Sequence, residues 1–452
     1  MPTVYIYSDN IIEGITFVDA IDEHSSHLSI TSEDFSKPAE PKFVLTSPKE
    51  DQLTLKIRGE YHNWELPDNV STAVNFIGRP DVVAVDEKGN QVLGGEFTDA
   101  APIGNMIYQR EGRQVGLLRA DFPLLYDTAY TATDRSGSSI DPRFPPSAIV
   151  LVRLAYCLKY RLPAFVVFYE NADGEKSATE KYDDYPPNRK YNQGEKYLYD
   201  NISTQLLNTV VGGYQDELEE SQYKILQQMV EYLMEKPVVR STAETRLEKD
   251  APALANAEVL TMRREEFINH IIEVINGREN PSSEFDITSL DPSRTVDWTG
   301  GVHKKKPFNK AILDAGYEPQ TFGSRQNPYI IDTSNLKDAV TSRYPTLSTK
   351  LNQLDESLET VVITPKFFQK KDSGRCVTKV DPYSGLIAAF SEWLSRDMEN
   401  EKTRNVIAYS HSGCAEEELS SSSKLKRSIN NMTDLAIVSV GDDNEAERWL
   451  FI

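Results

Sequence analysis

Only three cysteines stand in the 452 residues, at positions 157, 376 and 414. Few, far apart and odd in number, they exclude a disulfide framework and a cysteine-based zinc site, and they suit a reducing compartment. None lies in a reactive-cysteine signature, so each is expected to be a buried or inert thiol. Long apolar runs are missing too. No stretch approaches the roughly 20 residues that cross a bilayer, and the opening Met1 to Asn10 has neither the basic region nor the apolar stretch of a secretory signal. The expectation is a soluble, cytoplasmic protein with no membrane partner. Positive charge is scarce: 49 Lys and Arg face 70 Asp and Glu, a net charge of −21. Such a field repels phosphate at distances beyond about one Debye length, so a nucleic-acid partner has to be met by cations concentrated at a cleft. Gly94-Gly95 and Gly212-Gly213 form neither a phosphate loop nor a dinucleotide fingerprint, which excludes a nucleotide cofactor of those kinds. There is no internal repeat, and Ser420 to Ser423 is the only low-complexity tract.

What is present is enough apolar residue, 39% of the chain, to bury a full core over a length that calls for two or three folding units. Val4 to Tyr7, Ile15 to Val18, Phe43 to Leu45 and Leu53 to Ile57 are short apolar runs between polar turns and read as strands. Pro80 to Val85 and Gln91 to Phe97 read as a strand pair, with Lys88-Gly89-Asn90 supplying the turn. Ile149 to Lys159 has helical spacing and feeds the buried-strand run Pro163 to Tyr169. Polar residues 171–196 read as a loop. Ile225, Leu226, Met229, Val230 and Leu233, then Phe267, Ile268, Ile271, Ile272 and Ile275, are helical stripes, the second ended by Gly277. Past a Pro- and Ser-rich stretch, three apolar runs (Thr360 to Thr364, Asn405 to Tyr409, Leu435 to Val440) and the stripe Leu386, Ile387, Phe390, Trp393, Leu394 predict a small α/β layer. The expected organisation is an α/β chain with a core over 1–170, a helical region over 171–280 and a C-terminal α/β part over 281–452.

Chemistry is most legible in the strand pair. Asp81 opens one strand and Glu96 closes its neighbour fifteen positions later. Metal-assisted hydrolysis of a phosphodiester needs carboxylates converging on a divalent ion, and adjacent strands supply that convergence rigidly. Pro80-Asp81 followed by Glu96 resembles the PD-(D/E)XK nuclease superfamily, which includes many restriction and repair nucleases. The resemblance covers about residues 55–170. It implies a restriction-endonuclease-like mixed sheet, Mg²⁺ as cofactor, DNA as partner, and Asp81 and Glu96 as metal ligands with Glu60 assisting. The family's lysine is replaced here by Thr98, which carries no charge to stabilise a developing anion. Gln109, Arg110 and Arg113 are the nearest replacements, and Lys56 is another.

Two basic clusters offer phosphate contacts: Lys304, Lys305 and Lys306, and the run Lys366, Lys370, Lys371, Arg375 and Lys379 around Phe367 and Phe368. His411 stands between Ser410 and Ser412, but neighbours on a strand point to opposite faces, so a turn is expected rather than a nucleophile and base. His24 and His27 read as a surface loop, and His270 as a structural residue of its helix. The leading expectation is a Mg²⁺-dependent DNA endonuclease of the restriction or defence kind, with the later regions serving target recognition or formation of a homodimer. The alternatives are a catalytically silent nuclease-like module that binds nucleic acid or protein, and an assembly protein whose acidic surface meets a basic partner.

Overall fold

The computed structural model describes residues 1–76, 78–98, 105–130, 147–171, 189–190, 193–235, 264–277, 306–319, 321–322, 325–326, 328–364, 368–370, 376–378, 387–397, 401–412, 429–441, 446 and 448–451. The strands are β1 Thr3–Ser8, β2 Ser29–Asp34, β3 Lys42–Thr46, β4 Gln52–Gly59, β5 Val82–Asp86, β6 Gln91–Thr98, β7 Leu124–Tyr130, β8 Ala164–Asn171 and β9 Arg189–Lys190. These form one nine-stranded mixed sheet in the order β2-β3-β4-β1-β5-β6-β7-β8-β9. β1 runs parallel to β4, and β6, β7 and β8 run parallel to one another. The remaining pairings are antiparallel.

Eleven helices connect and cover the strands among the described residues: α1 Ile11–His24, α2 Asp68–Phe76, α3 Asn105–Arg119, α4 Ser147–Tyr160, α5 Gln193–Val210, α6 Gln215–Glu235, α7 Arg264–Ile275, α8 Pro307–Asp314, α9 Thr333–Thr341, α10 Ser348–Leu351 and α11 Ile387–Ser395. Ile15 to Val18 belongs to α1 and is not a strand. The Asn10 side chain caps the helix by accepting from the Glu13 amide, and Gly14, Phe17, Val18 and Ile21 are buried at helical spacing against the sheet. A four-residue apolar run satisfies either period, and the cap decides it.

α1 lies on the face of the sheet that carries Ile57, with α5 beside it. α2, α3 and α4 lie on the opposite face, where Arg153 of α4 is fully buried and donates to Glu111 and Gln114 of α3. α6 and α7 pack on α4 and α5 beyond β8. The β5–β6 turn has Gly89 at φ 82°, a left-handed conformation that glycine adopts without strain. The expected helices 149–159, 225–233 and 267–275 and the strand 163–169 are all present, and Gly277 ends α7 at φ 69°. Cys157 is buried, which pushes its thiol up to about 12 and leaves it inert at neutral pH. Cys376 contributes its backbone to a strand, and Cys414 lies outside the described residues.

At one end of the sheet, β2 is almost wholly exposed and carries Glu33 and Asp34. The C-terminal part is a five-stranded sheet built from β12 Tyr329–Asp332, β13 Glu359–Ile363, β16 Arg404–Ser412, β17 Leu435–Val440 and β18 Arg448–Phe451 in that order, with β13, β16 and β17 parallel. Two short pairs complete the count: β10 Thr321–Phe322 with β11 Arg325–Gln326, and β14 Phe368–Lys370 with β15 Cys376–Thr378. One face of the small sheet, through Val361, Ile363, Val406 and Val438, shares the core of the large one. Its other face packs on Phe308, Ile312, Leu336 and Val340 of α8 and α9.

The junction between the sheets is polar at its centre. Glu392 of α11 is buried and binds Arg119 of α3, with Arg119 Nε 3.1 Å from Oε1, and also accepts from Tyr160 of α4, while Lys159 donates to the Glu392 carbonyl. Burial pushes the Glu392 carboxyl up, but Arg119 and Lys159 outweigh it and hold it below the usual range. Removing one partner from such a cluster leaves buried charge uncompensated. Glu392→Ala is therefore expected to lose about 3–5 kcal/mol of stability, and Glu392→Gln less, as read by urea denaturation.

Candidate active site

The β5–β6 register pairs Val82 with Gly95, so the next position places Asp81 directly across from Glu96 on one face of the sheet. Both acids are buried. The Phe97 amide donates to Asp81 Oδ2 at 2.8 Å, which fixes the aspartate to its neighbour strand. Tyr61, fully buried in the turn after β4, donates to the Pro80 carbonyl at 2.8 Å and holds the segment that presents Asp81.

Two guanidinium groups from α3 bridge the pair. Arg110 Nη1 lies 3.2 Å from Asp81 Oδ2 and 2.5 Å from Glu96 Oε2, and Arg113 Nη1 lies 3.3 Å from Asp81 Oδ1 and 3.5 Å from Glu96 Oε1. The two carboxylates thus converge on shared nitrogens. The approach of α3 depends on Gly94: a Cβ there would come within 2.4 Å of the Leu117 side chain. One turn of α3 separates the arginines and turns both to the sheet.

A third acid, absent from the sequence reading, lies near this pair. Glu13 of α1 has one carboxylate oxygen, Oε2, that is buried and makes no hydrogen bond among the described residues. Burial, then the charges of Asp81 and Asp9, push its carboxyl up to about 7. Burial, then Asp81, push Glu96 up to about 7 as well, against the opposing pull of Arg113 and Arg110. Tyr126, paired with Glu96 from β7, is buried and raised to about 12, so it stays a protonated donor. Four carboxylates (Asp9, Glu13, Asp81, Glu96) meet two bridging guanidiniums, with Arg79 at 3.7 Å from Asp9 at the margin. Burial is the larger cause at both Glu13 and Glu96, and the carboxylate charge beside each adds to it.

Glu60 is not brought to the pair. It adopts φ 60°, its side chain is 56% exposed, and it accepts from Asn63 at 2.7 Å. Lys56 is not there either: its Nζ lies 5.4 Å from the centre of the Tyr5 ring. Gln109 lies in α3 and Thr98 in β6, paired with Thr128, but their side chains are outside the described set. Lys304, Lys305, Lys371 and Arg375 lie outside the described residues, and Lys370 is described only as backbone of β14. Lys306 precedes α8 at its N-cap. His411 Nδ1 is 2.8 Å from Ser439 Oγ across the β16–β17 pair, so its partner is neither Ser410 nor Ser412. His24 ends α1 with its ring 5.3 Å from that of Tyr199. Among the described residues, no three His, Cys, Asp or Glu side chains form a ready-made metal cluster.

No protein-family model, curated protein or solved structure matches this chain.

An acid whose carboxyl is raised in the folded protein favours folding while protonated. Between its unfolded value near 4.5 and its folded value near 7, the unfolded chain has released the proton and the folded chain keeps it. Stability without divalent ions is therefore expected to fall as pH rises through that window, then level off. Denaturation midpoints at several pH values check this, and Glu96→Gln should flatten the slope.

Proposed function

We propose that this protein is a divalent-cation-dependent DNA endonuclease of the restriction or defence kind, built on a restriction-endonuclease-like core. The single observation that carries the reading is the convergence of Asp81 and Glu96 on common nitrogens from the adjoining ends of paired strands. The arrangement of β5 and β6, with β7 parallel to β6 and α3 between them, is also what the PD-(D/E)XK resemblance leads one to expect.

The residues fit Mg²⁺. It favours carboxylate oxygens and uses one or two of them, completing its shell with water and substrate phosphate. Glu13 Oε2, buried and without a hydrogen bond among the described residues, and the raised carboxyls of Glu13 and Glu96 favour a further cation there. Asp81 and Glu96 would hold the ion. Bound there, it would polarise the scissile phosphate and lower the pKa of an attacking water. Arg110 and Arg113 bring to the same point the fixed positive charge that Thr98 lacks, and guanidinium N–H groups are well shaped for phosphate oxygens. Tyr61 and the Phe97 amide hold Asp81 in position.

One observation favours a second reading, a silent nuclease-like module: each carboxylate already accepts from both arginines. In that case the quartet is a structural ion-pair cluster and the protein acts by binding alone.

The purified protein is expected to cut duplex DNA with Mg²⁺ or Mn²⁺ and to stop on addition of EDTA. Asp81→Asn and Glu96→Gln should each lower the rate by about 10²–10³-fold while leaving the fold intact by circular dichroism. Absence of cleavage, together with Mg²⁺ affinity that is the same in wild type and Asp81→Asn by calorimetry, selects the silent module.

A further inference from the structure

The face of the large sheet that carries Asp81 and Glu96 extends past them onto β1, β4 and β3, away from α3. Strand alternation and register put Tyr7 beside Arg58, Tyr5 beside Lys56, and Lys42 beside Lys56 on this face, while Tyr7 pairs with Val83, two residues from Asp81. The opposite face of these strands, with Phe43, Leu45, Leu55 and Ile57, is fully buried, with α1 lying on β1 and β4. On the first face Tyr5, Lys42, Lys56, Arg58 and Trp64 are all partly open to solvent. In a chain of net charge −21, this is a local concentration of cations interleaved with aromatic rings.

Arg58 is fixed. Its guanidinium carbon stands 3.9 Å from the centre of the Tyr5 ring and 4.9 Å from that of Trp64. Nε donates to Glu40 at 2.7 Å and Nη1 to the Tyr7 hydroxyl at 2.7 Å, while Nη2 makes no hydrogen bond among the described residues. Trp64 is held in turn by its indole N–H on the Gly59 carbonyl at 2.9 Å. A guanidinium immobilised in this way loses little freedom on meeting a phosphate. Two acids share the face, Glu40 on Arg58 and Asp34 across from Lys42. Glu40 uses the inner edge of the guanidinium, and Asp34 sits at the outermost strand, away from the carboxylate pair.

We propose that the open face of β3, β4 and β1 is the track along which the DNA backbone approaches Asp81 and Glu96, with Arg58 as a preset phosphate anchor and Lys42 and Lys56 as further contacts. The inference rests on the nuclease reading for its ligand but concerns binding, so it is tested without cleavage. Fluorescence anisotropy of a labelled DNA duplex with the full-length protein in EDTA gives affinity against salt. Lys42→Gln/Lys56→Gln is expected to weaken binding about tenfold and to reduce the salt slope by about two, at roughly 0.9 per lost phosphate contact. Arg58→Lys keeps the charge but loses the fixed fork, and it should weaken binding with little change of slope. Lys224→Gln/Lys310→Gln, which removes the same charge from exposed sites on α6 and α8, should bind as wild type. The track is overturned if the Lys42/Lys56 variant keeps wild-type affinity and slope, if the control loses as much, or if wild type binds no DNA. Wild type that binds with the expected slope changes yet never cuts overturns the chemistry and keeps the track. Cleavage that is normal in the Lys42/Lys56 variant, with unchanged affinity, does the reverse.

Discussion

Two carboxylates buried opposite each other on paired strands set the terms for this half of the molecule. Neither Asp81 nor Glu96 can be left in an apolar interior without compensation, because a buried anion costs far more than its packing returns. The Phe97 amide serves Asp81, and charge compensation comes from α3, through arginines one turn apart that reach the same two side chains. That approach fixes how closely the helix must lie on β6, which the missing side chain of Gly94 allows. The opposite end of α3 is then held by Arg119 on Glu392, so the position of the small sheet follows from the same helix. Arg153 of α4 grips α3 between these points through Glu111 and Gln114.

Compensation is incomplete, because four carboxylates gather where two guanidiniums bridge. Burial raises any carboxyl, Glu111 beside Arg153 included, but at Glu13 and Glu96 a neighbouring carboxylate adds to it and both are pushed up to about 7. Strongly perturbed carboxyls gathered at strand ends beside fixed guanidiniums are an arrangement that chemistry on phosphates can use. The arginines have the opposite bearing: they lower the need for a further cation. These two influences pull the cluster in opposite directions, one toward binding a further cation and one toward a closed ion-pair network.

Much of the fold was legible because its signals are local. The β5–β6 hairpin, α4 leading into β8, the stripes of α6 and α7, and the three apolar strands of the small sheet all follow from side-chain period and turn chemistry within a dozen residues. Asp81 and Glu96 were legible for the same reason, and Arg110 and Arg113 because they lie in the basic helical segment that follows the strand pair. α1 was missed because Ile15 to Val18 is too short to reveal its period by itself. The signal that could have found it is Asn10 followed three residues later by Glu13, a cap at the head of the spacing Gly14, Phe17, Val18, Ile21. Missing the helix concealed Glu13. Glu60 was misplaced because proximity in sequence does not fix direction, and its left-handed backbone carries the side chain outward. Glu392 had no local signal at all, since its partner Arg119 is 273 residues away.

The outer border of the large sheet has its own consequence. β2 ends the sheet with unpaired backbone groups that another chain could extend, yet its exposed residues include Glu33 and Asp34, and its pairing to β3 is irregular between Ile30 and Ser32. A second copy adding itself parallel and in register there would set Glu33 against Glu33 and Asp34 against Asp34 along a kinked ribbon. Like charges stacked at each step therefore oppose the in-register growth that builds fibres from this border.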